Sequence, residues 1–130
     1  MLLEEKFAAG SLYLLRQAVA AHAAAAGMSE ARIIDVTLAV NELAANAIQH
    51  GAGRGRLRMQ LRDGALCCQV EDAGRGPRGR AGASDARPDA AVGWPYEQGH
   101  GLWLVRLVAD ELSVTSGPGG TCATATFALG

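Results

Sequence analysis

Leu57-Arg58-Met59-Gln60-Leu61-Arg62-Asp63-Gly64-Ala65-Leu66-Cys67-Cys68-Gln69-Val70-Glu71 alternates apolar and polar residues on both sides of an Asp-Gly pair. A period of two marks a strand with one wet face. Leu57, Met59 and Leu61 alternate with Arg56, Arg58, Gln60 and Arg62, and the returning strand puts Leu66, Cys68 and Val70 on its inner face. Asp63-Gly64 is a type I′ turn signal, because both central residues of that turn need positive φ. The segment is therefore an antiparallel hairpin with one buried side, and the rest of the chain must supply its cover.

Upstream of the bend Gly51-Ala52-Gly53 the period becomes helical. Ser29 offers an N-cap, Glu30 suits the positive end of a helix, and Ile33, Val36, Val40, Leu43 and Ala47 recur at spacings of three and four. This amphipathic helix ends near His50. Before it, Ser11 offers an N-cap for a helix with Leu12, Leu15, Val19, Ala23 and Ala26 on one face, closed by Gly27, and Leu2 to Phe7 reads as a short strand. Downstream, Gly74 to Gly99 is rich in Gly, Pro, Arg, Asp and Ala and has no sustained period, so it reads as a long loop with a lid over about 77–98. Leu102 to Ala109 resumes helical spacing, and Leu112–Ser116 and Cys122–Leu129 form a second hairpin around Gly117-Pro118-Gly119-Gly120. Hairpin-linked strands beside helices predict an α+β fold, a two-layer sandwich whose mixed, mostly antiparallel sheet carries its helices on one face.

A chain of 130 residues is long enough to bury one core, and one domain over 1–130 is expected. With 12 basic and 13 acidic residues the formal charge is -1, which gives no footprint for direct contact with nucleic acid or an anionic membrane. The alanine-rich stretch Ala18–Met28 is too short and weakly apolar to span a bilayer, and the charged opening Met1-Leu2-Leu3-Glu4-Glu5-Lys6 is unlike an export signal. Three cysteines, two of them adjacent in a strand, suit reduced thiols and a cytoplasmic location. Lys6 is the only lysine among the basic residues, a bias associated with GC-rich bacterial genomes.

Four short motifs could carry chemistry. Glu42, Asn46, Gln49 and His50 share one face of the second helix, about 120° from the centre of the apolar stripe and so at the edge of the core. Glu42 could polarise a hydroxyl or a water, and Asn46 offers a neutral oxygen of the kind Mg²⁺ accepts. The same spacing also suits a plain solvated face. Asp72 ends a strand, where a partly buried carboxylate needs a partner such as an exocyclic amine, and Gly74 and Gly76 would let the backbone approach a ligand closely. Gly99-His100-Gly101-Leu102 enters a helix, whose first amides form an anion site. Gly119-Gly120-Thr121 starts the last strand, and the Thr121 hydroxyl could bond Asp72, a water or a base. There is no Walker A sequence.

In order and spacing these motifs resemble the N box, the two glycine boxes and the terminal Gly-Thr of the GHKL superfamily. This is the Bergerat ATP-binding fold of DNA gyrase, the large heat-shock chaperone, histidine kinases and the MutL repair proteins. The likeness runs from about Phe7 to Leu129. The short lid, the helix with Asn41-Glu42-Leu43-Ala44-Ala45-Asn46-Ala47 and the segment Gly99-His100-Gly101-Leu102-Trp103-Leu104-Val105 look most like bacterial anti-sigma factor serine/threonine kinases.

The resemblance implies ATP and Mg²⁺ as cofactors. It makes Glu42 the general base, Asn46 the metal ligand and Asp72 the adenine reader, with Gly74 and Gly76 shaping the adenine pocket. Gly99, Gly101 and Leu102 would place amides on the phosphates, His100 between them could touch phosphate, and Thr121 would support Asp72. The implied reaction is transfer of the γ-phosphoryl group to an anti-anti-sigma protein of the STAS type by a domain that also sequesters a sigma factor and can pair with itself. Arg75, Arg78, Arg80, Arg87 and Arg106 are the candidate cations for the γ-phosphate. His50 could orient Glu42 or cap its helix. Two other functions fit the same motifs: a non-catalytic ATP-binding regulatory module, and the output domain of a sensor histidine kinase.

Overall fold

The computed structural model describes residues 2–51, 53–72, 100–117 and 120–129. Strand β1 (Leu3–Ala8) passes through a 3-10 turn, Ala9–Ser11, into helix α1 (Leu12–Ala25). Helix α2 (Glu30–His50) follows, then the hairpin of β2 (Arg54–Arg62) and β3 (Ala65–Asp72), then helix α3 (His100–Val108) and the strands β4 (Glu111–Gly117) and β5 (Gly120–Ala128). The expected lid over 77–98 lies outside the described residues.

The strands form one five-stranded sheet in the order β1-β2-β3-β5-β4. The expected α+β fold with a mostly antiparallel sheet is present, and all four described pairings are antiparallel. The first hairpin turns as its sequence dictates: Asp63 has φ 53° and Gly64 φ 76°, the two positive values that a type I′ turn requires. Leu66, Cys68, Val70 and Asp72 of β3 point to the buried face, together with Leu57 and Met59 of β2 and Thr121, Ala123, Ala125 and Phe127 of β5.

The three described helices cover that face. Val36, Ala39, Val40, Leu43, Ala44 and Ala47 of α2 are at most 1% exposed, so the central helix carries most of the contact with the sheet. Burying side chains of this size stabilises by about 1.5–3 kcal/mol for each Val or Leu. Helices α1 and α3 add Leu15, Val19, Ala23, Leu102 and Val105. Ser29 caps α2 as expected, its Oγ accepting from Arg32 N at 3.2 Å. Ser11 does not cap α1. Its Oγ accepts from Ala8 N at 2.9 Å and donates to Ala8 O at 3.0 Å, because the 3-10 turn before the helix places those backbone groups nearer than the helical amides. Among the described residues, no helix is long and apolar enough to cross a membrane.

One end of the sandwich is tied by Arg32. Its guanidinium donates to Asp35 Oδ2 at 3.1 Å, Val108 O at 3.1 Å and Asp110 Oδ2 at 2.8 Å, and lies 5.3 Å from the centroid of the Phe127 ring. Val108 closes α3, so the amino end of α2 lies beside the carboxyl end of α3. With the two helices packed together, α3 runs back along α2 for roughly 13 Å, the length of nine helical residues. The amino end of α3 consequently points toward the opposite end of the sheet, where β3 finishes at Asp72.

Candidate functional site

Asp72 is the last residue of β3 and is 7% exposed. Two glycines lie near it, one against the carboxylate and one across the strand pair. On the helix side is Gly51, where a Cβ would stand 2.7 Å from both Asp72 Oδ2 and Ala47 O. On β2, Gly55 pairs with Asp72, and a Cβ there would collide with Glu71 O and stand 2.7 Å from Phe7 Cζ. The end of α2 is thus pressed against the end of β3, which only glycine at 51 permits without displacement of the carboxylate or the helix.

On its other side, β3 pairs with β5 from Ala65↔Ala128 to Glu71↔Cys122. One step further in that register brings Asp72 opposite Thr121, which is 8% exposed and faces the same side of the sheet. Thr121 Oγ1 lies 3.1 Å from Ser116 Oγ, its cross-strand partner on β4. Glu71, Asp72, Thr115, Ser116, Gly120, Thr121 and Cys122 line a cavity of about 390 Å³. A second cavity of about 350 Å³ meets Asp72 from the β1–β2 corner and is lined by Lys6, Phe7, Arg54, Gly55, Arg56 and Glu71. Either volume lies within the range of small-molecule sites.

The orientation of α2 places the other polar candidates. Arg16 of α1 donates to Asn41 Oδ1 at 3.1 Å, so Asn41 marks the α1 flank. Asp35 binds Arg32 beside α3 and marks the opposite flank. At about 100° per residue, Glu42 lies two turns from Asp35 on that α3 flank, and Asn46 follows one turn later, toward Asp72. Both are half-buried. Glu42 and Asn46 therefore lie on the α3 flank of α2, with Asn46 nearer to Asp72. Leu102 contributes its side chain to the core and is 7% exposed.

His100 and Gly101 form the first two positions of α3. Gly74, Gly76 and Gly99 lie outside the described residues, as do Arg75, Arg78, Arg80 and Arg87. Three features of this region escaped sequence reading. Gly51 reads in sequence as part of a glycine-rich bend after the helix, and no motif singles out Gly55 or Ser116. The spacing of Ser116 and Thr121 about the glycine-rich turn was the signal that could have paired them.

Of the thiols, Cys122 lines the cavity beside Asp72 and Thr121, whereas Cys68 lies in the core. Cys68 is fully buried in the core, and burial pushes its pKa up to about 12, with Cys67 adding a smaller rise. Cys122 is also raised, first by burial and then by the neighbouring Glu71 charge. Neither is poised as a nucleophile.

Comparison with known proteins bears on the fold and the family. The structure is similar to the RsbU and RsbW domains of Rv1364c from Mycobacterium tuberculosis, with a TM-score of 0.70 at 22% identity. That likeness concerns the fold, covers 98% of this chain and takes in only 32% of the other. No curated protein matches. The sequence matches the histidine kinase-like ATPase domain over residues 7–127, nearly its whole length, and the chain belongs to that family.

Proposed function

We propose that this domain binds ATP with Mg²⁺ and acts as an anti-sigma-type serine/threonine kinase, passing the γ-phosphoryl group to a STAS-type anti-anti-sigma protein and sequestering a sigma factor. The reading is supported by Asp72 and Thr121, both buried and lining one cavity at the carboxyl end of α2, the helix that carries Glu42 and Asn46. The fold family supplies an ATP-binding precedent, and the RsbW domain of the structural neighbour supports the choice within it.

The residues fit these cofactors. Asp72 is an acceptor-only carboxylate beside a cavity and suits the exocyclic amine of adenine. No cluster of three or more His, Cys, Asp or Glu side chains is present among the described residues. Mg²⁺ accepts neutral oxygen, and the Asn46 side chain would hold it. Bound Mg·ATP supplies the transferable phosphoryl group. Glu42 accepts the proton of the attacking serine or threonine hydroxyl, and Gly101 and Leu102 offer amides at the positive end of α3. Arg106, the basic residue in the last turn of α3, is placed too far along the helix to meet a phosphate held at its amino end. The work left to the protein is positioning and charge balance.

Incubation with Mg·ATP and the cognate STAS protein tests this reading. Serine or threonine phosphorylation that disappears in Glu42→Ala, while ATP still raises the melting temperature, is the expected result. ATP binding without transfer to any such partner would replace the kinase with a non-catalytic nucleotide module. Absence of stabilisation by ATP, ADP or GTP, with or without Mg²⁺, would remove the nucleotide site itself.

A further inference from the structure

We infer that the sheet face turned away from the helices is a docking surface for an extended acidic polypeptide segment, held by the arginines of β2 and anchored where Lys6, Arg54 and Arg56 line a cavity. Leu57 and Met59 of β2 are buried beneath the helices, so the alternate residues Arg54, Arg56, Arg58, Gln60 and Arg62 stand on the opposite face. Lys6 of β1 is the cross-strand partner of Arg56 and joins them there. Two carboxylates flank this lane: Glu4 opposite Arg58 on β1, and Glu71 opposite Arg56 on β3. A chain whose basic and acidic residues nearly balance thus carries a basic lane over three adjacent strands.

Internal pairing leaves much of that charge uncompensated. Glu4 Oε2 lies 3.6 Å from Arg56 Nη1 and 3.4 Å from Arg58 Nε, and Glu71 Oε2 lies 3.6 Å from Arg58 Nη1. Long contacts between side chains so open to water hold weakly. Among the described residues, no ion pair involves Lys6, Arg54 or Arg62. The pairing of Lys6 with Arg56 sets like charges directly across two strands, an arrangement that costs stability. Those two side chains and Arg54 line the cavity of about 350 Å³ at the β1–β2 corner. A carboxylate bound there relieves the repulsion.

The spacing of the lane selects the kind of anion. Same-face residues of a strand recur about every 6.8 Å, and so do those of any extended polypeptide. A segment with Asp or Glu at every second position therefore meets one arginine after another along β2, and each guanidinium can take a carboxylate in two parallel hydrogen bonds. The backbone amides of such a segment can also donate to Glu4 and Glu71. A nucleic acid instead sets a phosphate against them at every unit, and among the described residues this face carries no aromatic side chain on which a base could stack.

Fluorescence anisotropy of the whole protein with two labelled peptides of Glu and Thr tests the inference. Both are nine residues long, the length of β2, and of one composition, with Glu either at alternate positions or gathered in a block at one end. The alternating peptide is expected to bind about three- to tenfold tighter, and more weakly as salt is added. The double substitution Arg54→Glu with Arg62→Glu is expected to weaken it about tenfold or more, since two attractions become repulsions. Arg106→Glu, an exposed change on α3, should stay within about twofold of the parent. Equal affinity for the two peptides, or an Arg106→Glu loss as large as that of the double variant, would reduce the face to diffuse attraction and overturn the proposal. Absence of binding at low ionic strength would overturn it as well, as would tighter binding of oligothymidylate or phosphatidylglycerol vesicles than of the alternating peptide. The comparison of peptides uses the unsubstituted protein and stands whether or not the variants fold.

Discussion

The two ends of α2 lie in contrasting surroundings. At the amino end, Arg32 and Asp110 consume one another: the carboxylate accepts from Arg32 Nη2 at 2.8 Å and from Ala128 N at 2.6 Å, and Asp110 N donates to Thr126 O at 2.8 Å. At the carboxyl end, Asp72 and Thr121 border cavities, and the adjacent positions 51 and 55 are glycines. The first arrangement fastens the helix with paired charge, and the second lets backbone and neighbouring side chains approach closely beside a buried carboxylate. A fold can be fastened at one end and kept receptive at the other, because a single long helix spans both.

The separation is testable by substitutions with opposite consequences. Asp72→Asn removes an acceptor of charged strength and replaces it with a group of the same shape, so ATP affinity should fall about ten- to a hundredfold, the equivalent of a hydrogen bond to a charged group. Calorimetry measures the loss, and urea unfolding of the apo protein should move much less. Arg32→Met is the converse. It strands Val108 O at the end of α3 and breaks two ion pairs and a contact over Phe127, at a cost to stability of about 1–3 kcal/mol. ATP affinity should stay within about twofold of the parent's by the additivity of distant sites. If Arg32→Met weakens ATP binding as much as Asp72→Asn does, the two ends are coupled and the division fails.

Gly51→Ala sharpens the comparison, since it alone is expected to disturb both quantities. The added methyl must push Ala47 O at the end of α2 or Asp72 Oδ2, each 2.7 Å away, and overpacking of this kind costs about 1–3 kcal/mol. Relief through the carboxylate lowers ATP affinity, and relief through the helix lowers stability. A variant with both parameters unchanged would show that the glycine is dispensable.

What the sequence made legible was local. Alternation in Leu57–Val70 and the Asp63-Gly64 turn defined the hairpin, and the apolar spacing of Val36, Val40, Leu43 and Ala47 defined the central helix, because each depends on neighbours a few residues away. The Arg32 tie was illegible: it joins residues 76 and 78 positions apart, and an arginine in the first turn of a helix looks like solvated surface. Ser11 misled for a related reason, since a serine ahead of a helix signals a cap whether or not a 3-10 turn intervenes. At the site, Asp72 was visible as a carboxylate ending a strand. The reason for Gly51 was hidden, because nothing within the helix says what its terminus will be pressed against.

Between the two ends lies Cys68, whose effect at neutral pH is the smallest of those considered. Its thiol is fully buried, with a pKa near 12, against an ordinary value of 9.0. A group whose folded pKa is raised holds its proton longer in the native state than in the unfolded one. The unfolded chain therefore loses the proton first as pH rises, and native stability declines from about pH 9 toward 12 and is insensitive to this group below pH 8. Cys68→Ala should flatten that alkaline decline in urea titrations, after allowance for the cavity it leaves. The same burial makes the thiol a gauge of opening. At pH 8 the half-buried Cys67 and Cys122 should react with a maleimide first, and Cys68 only when the sheet is uncovered. Arg32→Met should then hasten Cys68 labelling and ATP should slow it, since one unfastens the core and the other stabilises the native state by binding. Equal labelling of all three cysteines in the parent protein would show that the core over β3 opens freely.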